Sequence, residues 1–385
     1  MDFHQQQSFE ITSSNLLLAL RTAHQWQASG NAKDAAVLCQ QILSAQPRQA
    51  DAIHLLGVIA LQDGNMEKAT QHFQKAIKIN GKNPQFHSNL GLAWHEQGKL
   101  KEAEQCYQAA IALDARYLDA WYNLHALLIR PGDYLSACEA LNKVLVLNPH
   151  DEEARLMLAI LLDYAGKPDQ SLQVEQMLDI TSPLMKARLD AWHYFRALPE
   201  KPVITGSNLV TFKRAVAQAN IKGLVLEFGV RHGNSIRQLV QLVGQEAHGF
   251  DSFQGLPEDW HAESRGSYST KGVIPKVPPL VKLHAGWFDE ALPAFVTNHE
   301  GPARLINIDC DIYSSTKTVL DTLARRIVPG TVIIFDEYIG NEHWREDEYK
   351  AFQEAVAAYG WRYQYLAVSF FTKQVVVKIT EVGQR

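Results

Sequence analysis

Two different rhythms of apolar and polar positions divide the chain. In the first half, glycines recur every 34 residues, at Gly30, Gly64, Gly98, Gly132 and Gly166. Five positions after each stands a small side chain (Ala35, Ala69, Ala103, Ala137, Ser171), and seventeen after it come Pro47, Gly81, Ala115, Pro149 and Pro183. Large apolar residues fill the intervals, as in Leu90, Trp94 and Tyr107, then Trp121, Leu124 and Leu128. A glycine that accepts positive φ ends one helix and turns into the next, the small residue lets paired helices approach, and proline stops the second helix. The period predicts stacked helical hairpins over about residues 12–195.

That hairpin of 34 residues resembles the tetratricopeptide repeat, which stacks into a superhelix. The first and fifth copies are atypical, with Thr22-Ala23 and Glu175 at positions where Leu-Gly and an aromatic are usual, as capping repeats are. About five repeats are expected. A spacer or self-association module and a groove for a protein partner both fit this pattern, because the period encodes packing alone.

After a linker at Leu198-Pro199-Glu200-Lys201-Pro202 the rhythm changes, and a second domain is expected over 203–382. Short apolar runs at 223–228, 247–251, 280–284, 304–309 and 331–336 alternate with helical stretches near 233–243, 288–298, 315–326 and 346–358. Such alternation predicts a parallel sheet covered on both faces. Two last runs, 363–369 and 374–379, are too close for a parallel crossover, so an antiparallel hairpin at the sheet edge is expected. The expected fold class is an all-α solenoid followed by an α/β, Rossmann-like domain, whose parallel sheet finished by a C-terminal hairpin resembles that of class I methyltransferases.

Charge narrows the partners. Of the 385 residues, 37 are Lys or Arg and 42 Asp or Glu, a net charge of −5, and residues 1–200 and 201–385 carry 17 against 22 and 20 against 20. Neither half has the basic excess that nucleic-acid binding requires, so no nucleic-acid partner is expected. The longest apolar run, 156–162, is far below the ~20 residues of a membrane span. The opening Met1-Asp2-Phe3-His4-Gln5 lacks a basic secretory n-region, and Cys39, Cys106, Cys138 and Cys310 form no CxxC pair. A reduced, cytoplasmic setting is the expectation.

The strand ends carry the candidate chemistry, since ligands of open α/β sheets lie outside them. Glu227 closes the first run, Asp251 the second, Asp309 the fourth and Asp336-Glu337 the fifth. The first leads into Glu227-Phe228-Gly229-Val230-Arg231-His232-Gly233-Asn234-Ser235, which is neither GxGxxG nor a P-loop. Glycine at 229 and 233 leaves room for a ligand against the backbone. Several carboxylates would repel a pyrophosphate but suit a ligand with hydroxyls and positive charge. Asp251 is placed to accept from a ribose diol. S-adenosylmethionine, with ribose, ammonium and sulfonium but no phosphate, fits that description, and Gly233, Ser235 and Ser252 share the two turns. Asp309, Asp336 and Glu337 form a hard oxygen set suited to Mg²⁺. The alternative is that Asp311 caps a helix and Asp336-Glu337 sit in a solvated loop.

The motifs Leu226-Glu227-Phe228-Gly229-Val230, Gly249-Phe250-Asp251-Ser252-Phe253-Gln254-Gly255-Leu256-Pro257, Gly286-Trp287-Phe288, Ile308-Asp309-Cys310-Asp311-Ile312-Tyr313-Ser314-Ser315-Thr316 and Pro329-Gly330-Thr331 to Asp336-Glu337-Tyr338 occur in order. Together they resemble the macrocin O-methyltransferase family over about residues 222–379. That resemblance implies methyl transfer from S-adenosylmethionine to a sugar hydroxyl with Mg²⁺. It implies Glu227 and Gly229 at the donor's methionine end, Asp251 at its ribose, and Asp309, Asp336 and Glu337 as metal carboxylates, with Glu337 standing where the family has a second Asp. Gly286 and Trp287 sit where such enzymes contact adenine, although Trp287 equally suits packing under a helix.

Asp309 is the first candidate base and His343, in the loop after Tyr338, the second. The polar stretch 259–279, rich in Gly and Pro, is a candidate lid over the acceptor. The acceptor is expected to be a sugar, a glycoside or a similar small polyol. Two other readings stand beside this one: a non-catalytic scaffold with a methyltransferase-like domain, and a methyltransferase acting on nitrogen or on a protein held by the repeats.

Overall fold

The structure, a computed structural model, describes residues 11–12 and 14–383. The chain divides into two compact units, Met1–Leu124 and His125–Arg385. The first unit holds α1 (Leu16–Ala28), α2 (Ala32–Ala45), α3 (Ala50–Gln62), α4 (Met66–Ile79), α5 (Pro84–Glu96) and α6 (Leu100–Leu113), and α7 (Leu118–Leu128) spans the division. Helices α1 and α2, α3 and α4, and α5 and α6 pair as hairpins. All five periodic glycines take positive φ, between 70° and 88°, at the turns where the period places them.

Close approach depends on two further glycines inside helices. A Cβ at Gly57 would lie 2.6 Å from Phe73 Cε1, and one at Gly91 would lie 2.6 Å from Tyr107 Cε1. Buried His54 stacks on Phe86 at 4.5 Å, and its Nε2 faces Asn89 Nδ2 at 2.9 Å. Burial holds this imidazole's pKa down at about 4.

The second unit continues with α8 (Leu135–Leu147), α9 (Glu152–Tyr164), α10 (Pro168–Glu175) and α11 (Pro183–Arg196), then β1 (Val203–Ile204) and α12 (Asn208–Gln218). Next come β2 (Leu224–Phe228), α13 (Asn234–Val243), β3 (Ala247–Asp251), β4 (Val281–Ala285), α14 (Phe288–Asn298), β5 (Ala303–Ile308) and α15 (Tyr313–Leu323). The chain ends through β6 (Val332–Phe335), α16 (Glu348–Tyr359), β7 (Arg362–Val368) and β8 (Val375–Glu381).

The segment read as a linker does not separate α11 from the sheet. Lys201 Nζ meets Asp163 at 2.8 Å, and Glu200 accepts from Gln364 at 2.8 Å. Trp192 and Phe195 of α11 are fully buried, and Tyr194 and Tyr365 share a 2.9 Å hydroxyl contact. The last helical hairpins therefore belong to the compact unit of the sheet.

The sheet order is β1-β7-β8-β6-β5-β2-β3-β4. Strands β6, β5, β2, β3 and β4 run parallel, and β8 is antiparallel to β6 and β7. The hairpin does not form the edge as expected: β1 pairs parallel with β7 through Val203 and Ile204 and covers it.

Alternate residues feed two layers. Val225, Leu305, Val332, Ile334 and Val376 meet Phe212 and Ala215 of α12 and Ile236 and Leu239 of α13. Their strand neighbours Leu226, Phe228, Ile306, Ile308, Ile333 and Phe335 are equally buried. Burial on both faces is why these strands read as continuous apolar runs. Each such side chain contributes roughly 1.5–3 kcal/mol. Among the described residues no helix is long and apolar enough to cross a membrane.

Candidate active site

Strand order places the reversal of winding between β2 and β5, where a crevice opens in sheets of this kind. Backbone hydrogen bonds continue past the strand ends and fix the residues there. Gly286 N donates to Asp251 O at 3.0 Å, Gly229 N to Phe250 O at 2.9 Å, Asp309 N to Phe228 O at 2.8 Å, and Asp336 N to Ile308 O at 2.9 Å. The residues singled out at separate strand ends thus stand in one row.

Glu227 lies on the β2 face opposite Asn307 of β5. It is buried, and it accepts from Ser235 Oγ at 2.9 Å and Asn307 Nδ2 at 3.1 Å. Burial pushes its pKa up to about 8, against the pull of those two donors. Asn307 Oδ1 is buried without a partner among the described residues, an orphaned acceptor beside the carboxyl. Asn307 is a site residue that the sequence reading missed; a lone amide inside an apolar strand was its signal.

Asp251 ties the two turns together. Its Oδ2 accepts from Arg231 N at 2.7 Å and its Oδ1 from Phe253 N at 2.6 Å. Each oxygen keeps a second lone-pair direction. Ser252 serves its own turn, accepting from Gln254 N at 3.1 Å. Gly229 has a different reason from the one expected: its φ is 92°, and a Cβ would fall on Asp309 O of the neighbouring strand end. Gly233, at φ 75°, is the left-handed residue preceding α13. Gly286 takes φ 142°, and half-buried Trp287 leads into α14.

The acids at β5 and β6 are crowded. Burial and the nearby Asp336 push Asp309 well above the usual carboxylate range. Asp336 is raised to about 6 by burial, although it accepts from Gln374 Nε2 and hydrogen-bonds Asp309. Asp311 does not cap α15, whose N-cap is Ile312. It sits half-buried at φ 62°, and burial together with Glu337 and Asp336 raises it to about 7. Glu348, at the start of α16, is buried, pushed well up by burial and by Asp336, and accepts from Glu337 N at 3.1 Å.

Two of the three carboxylates expected to hold the metal are already engaged. Both oxygens of Glu337 face Lys373 Nζ at 3.1 Å, and Asp336 Oδ1 accepts from Gln374 Nε2 at 2.6 Å. Among the described residues no three His, Cys, Asp or Glu side chains form a group that could hold a metal ion. Asp309, Asp336 and Glu337 as arranged do not fit Mg²⁺, because cationic and amide donors from the β7–β8 turn occupy two of the three carboxylates. His343 lies in the loop after β6. Its ring stacks on His261 at 4.2 Å and its Nδ1 lies 3.9 Å from Glu346.

The 259–279 stretch is a packed loop. Leu256 N donates to Ser267 O at 3.0 Å, Arg237 Nη2 to Lys276 O at 2.6 Å, and His261 Nε2 meets Asp347 at 3.0 Å. Arg231 lies over the Tyr268 ring at 5.3 Å, joining this loop to the first turn. Arg231, Phe253, Asp311 and Lys373 all hold left-handed backbone next to strand ends of the crevice. Such strain gathers where surrounding structure imposes it, often at functional sites.

Residues 226–338 match the family described as methyltransferase domain, and residues 57–98 and 94–132 match the TPR repeat family. The chain carries a methyltransferase domain behind N-terminal tetratricopeptide repeats, and such a domain implies S-adenosylmethionine as methyl donor. Over 158 residues it is 30% identical to the 8-demethyl-8-(2,3-dimethoxy-alpha-L-rhamnosyl)-tetracenomycin-C 4'-O-methyltransferase of Streptomyces olivaceus, covering 34% of this chain and 59% of that protein. It is 30% identical to the mouse (Mus musculus) protein O-mannosyl-transferase TMTC1 over 158 residues, 40% of this chain and 17% of that protein. The chain thus spans less than two thirds of either curated relative. Among solved structures, that of the O-methyltransferase NovP aligns with a TM-score of 0.37 at 19% identity, covering 46% of this chain and 81% of that one.

Proposed function

We propose that the chain is an S-adenosylmethionine-dependent O-methyltransferase acting on a hydroxyl of a sugar or glycoside, with the repeats serving protein interaction or self-association. The row of acids flanking the crevice carries this reading. Buried Glu227, with the orphaned Asn307 Oδ1 beside it, suits an ammonium group, and Asp251 has lone pairs left for a ribose diol. Gly286 and Trp287 stand next to Asp251 along the row, the side suited to a base. When bound, the donor supplies a methyl carbon already activated on a positively charged sulfur.

The protein's remaining work is to orient an acceptor oxygen and take its proton. Asp311 suits the second task, since a carboxylate raised to about 7 is a stronger base than an ordinary one and is about half ionised at pH 7. Asp309, which burial and the nearby Asp336 push well above the ordinary carboxylate range, is the other candidate for this task. The rhamnosyl O-methyltransferase relative supports a sugar acceptor.

Calorimetry with S-adenosylmethionine tests the donor site: one molecule should bind per chain, and Asp251→Ala should weaken binding at least about tenfold through loss of its charged hydrogen bonds. Radiolabelled methyl transfer to a panel of deoxyhexose glycosides tests the acceptor. Absence of donor binding by the folded protein would remove the enzyme reading altogether, and methyl transfer confined to amines would remove the hydroxyl acceptor.

A further inference from the structure

The turn between β7 and β8 delivers two side chains to the carboxylates at the end of β6. Because β8 runs antiparallel to β6, with Val375 opposite Phe335, the residues just before β8 stand beside those just after β6. Lys373 reaches across with Nζ 3.1 Å from each oxygen of Glu337, and Gln374, fully buried, donates to Asp336 at 2.6 Å. The turn is built for this. Lys373 holds left-handed backbone at φ 64°, and Gly340 lies along its aliphatic stem, where an added Cβ would meet Lys373 Cγ at 2.8 Å. The ammonium also acts on Asp311 and Asp336, so its field covers the acidic cluster at this end of the crevice.

We propose that Lys373 stands in for a divalent cation at the acceptor end of the crevice, so that this methyltransferase works without a bound metal ion. The inference rests on the methyl-transfer reading and departs from the magnesium dependence that the sequence resemblance implied. A lysine ammonium has three donors. Two engage Glu337, and the third is available to an acceptor hydroxyl. As that hydroxyl passes its proton to a carboxylate of the cluster, its oxygen forms the new bond to the methyl carbon. The electron pair of the breaking carbon–sulfur bond stays on sulfur, and the donor leaves uncharged. The fixed positive charge of Lys373 offsets the negative charge building on the oxygen, the task a Lewis acid would otherwise perform.

The test is Mn²⁺ binding, followed by electron paramagnetic resonance, on the full chain saturated with S-adenosylhomocysteine. Wild type should show no stoichiometric site. Lys373→Asn tolerates the left-handed backbone and removes the charge, so it should bind one Mn²⁺ at least about tenfold more tightly, because three carboxylates lose their internal cation. Lys373→Met serves as a second variant, and thermal melting verifies that each is folded. Equal Mn²⁺ affinity in wild type and both variants, whether tight or undetectable, overturns the proposal. S-adenosylhomocysteine calorimetry on the same samples separates this from the wider reading: a wild type that fails to bind it defeats the methyltransferase assignment, whatever Mn²⁺ does.

Discussion

Arg345 and Asp190 form a two-pronged ion pair, Nε to Oδ2 at 2.8 Å and Nη2 to Oδ1 at 3.0 Å. One partner lies on α11, the last helix before the α/β fold, and the other in the loop after β6 and Glu337. The same guanidinium lies over Trp344 at 4.3 Å and over Tyr194 of α11 at 5.6 Å. Arg188 of α11 donates to Gly340 O in the same loop at 3.3 Å. An ion pair this exposed is worth little by itself, but α11 also buries Trp192 and Phe195 completely.

A fragment cut at the apparent linker should therefore fail. Residues 203–385 lack the apolar cover of α11, whereas residues 125–385 form a whole compact unit. The longer fragment is expected to unfold cooperatively in urea and bind S-adenosylmethionine like the full chain, and the shorter to aggregate or melt without a transition. Equal cooperativity in both would dismiss the structural role given to α11.

Burial of Glu227 links stability to pH. Its ordinary pKa of 4.5 rises to about 8 on burial, so the folded state retains a proton that the unfolded chain releases between those values. Its contribution favours folding fully below pH 4.5 and is lost as pH rises through 8. Glu227→Gln keeps an acceptor for Ser235 and offers an amide to the orphaned Asn307 Oδ1. At pH 9 it should stabilise the protein by about 2 kcal/mol, roughly 4–8 °C in melting temperature, while S-adenosylmethionine affinity falls. Melting curves across pH 5–9 are the measurement, and an unchanged slope would show that the carboxyl is not buried as described.

Asp311 as base predicts a rate that climbs with pH and levels off above about 7, since only its ionised form accepts a proton. Asp311→Asn should reduce methyl transfer by about 10²–10⁴-fold and leave donor affinity within about threefold. Glycoside methylation measured from pH 5 to 9 decides it. A flat profile would take Asp311 out of the reaction.

In the repeat unit, Gly91→Ala would drive a methyl group into the Tyr107 ring, 2.6 Å away. A loss of about 1–3 kcal/mol is expected from overpacking. Gly81→Ala, whose Cβ would meet only Ile77 O at 3.3 Å, is the control and should change far less. Urea denaturation of the two variants compares them directly.

Much of this architecture was legible because it is periodic. The 34-residue glycine spacing placed five positive-φ turns, and the apolar runs located β2 to β8 to within a few residues. What escaped was set by neighbours distant in sequence. β1 has only Val203 and Ile204 and exists because β7 offers an open edge. Gly229 is dictated by the Asp309 carbonyl on another strand. Lys373 and Gln374 read as a turn and a strand start until the antiparallel pairing of β8 with β6 brings them to Glu337 and Asp336. Carboxylates announce themselves by type, but the cation that answers them does not.

The sharing of one compact unit by α8–α11 and the sheet limits how this architecture can vary. The hairpins upstream of Leu124 form a compact unit of their own, so units of 34 residues are expected to be gained or lost there without unfolding the second unit. The hairpins after His125 have exchanged that interchangeability for a fixed post against the sheet, and a lineage that shed them would have to invent a new wall for the loop after β6.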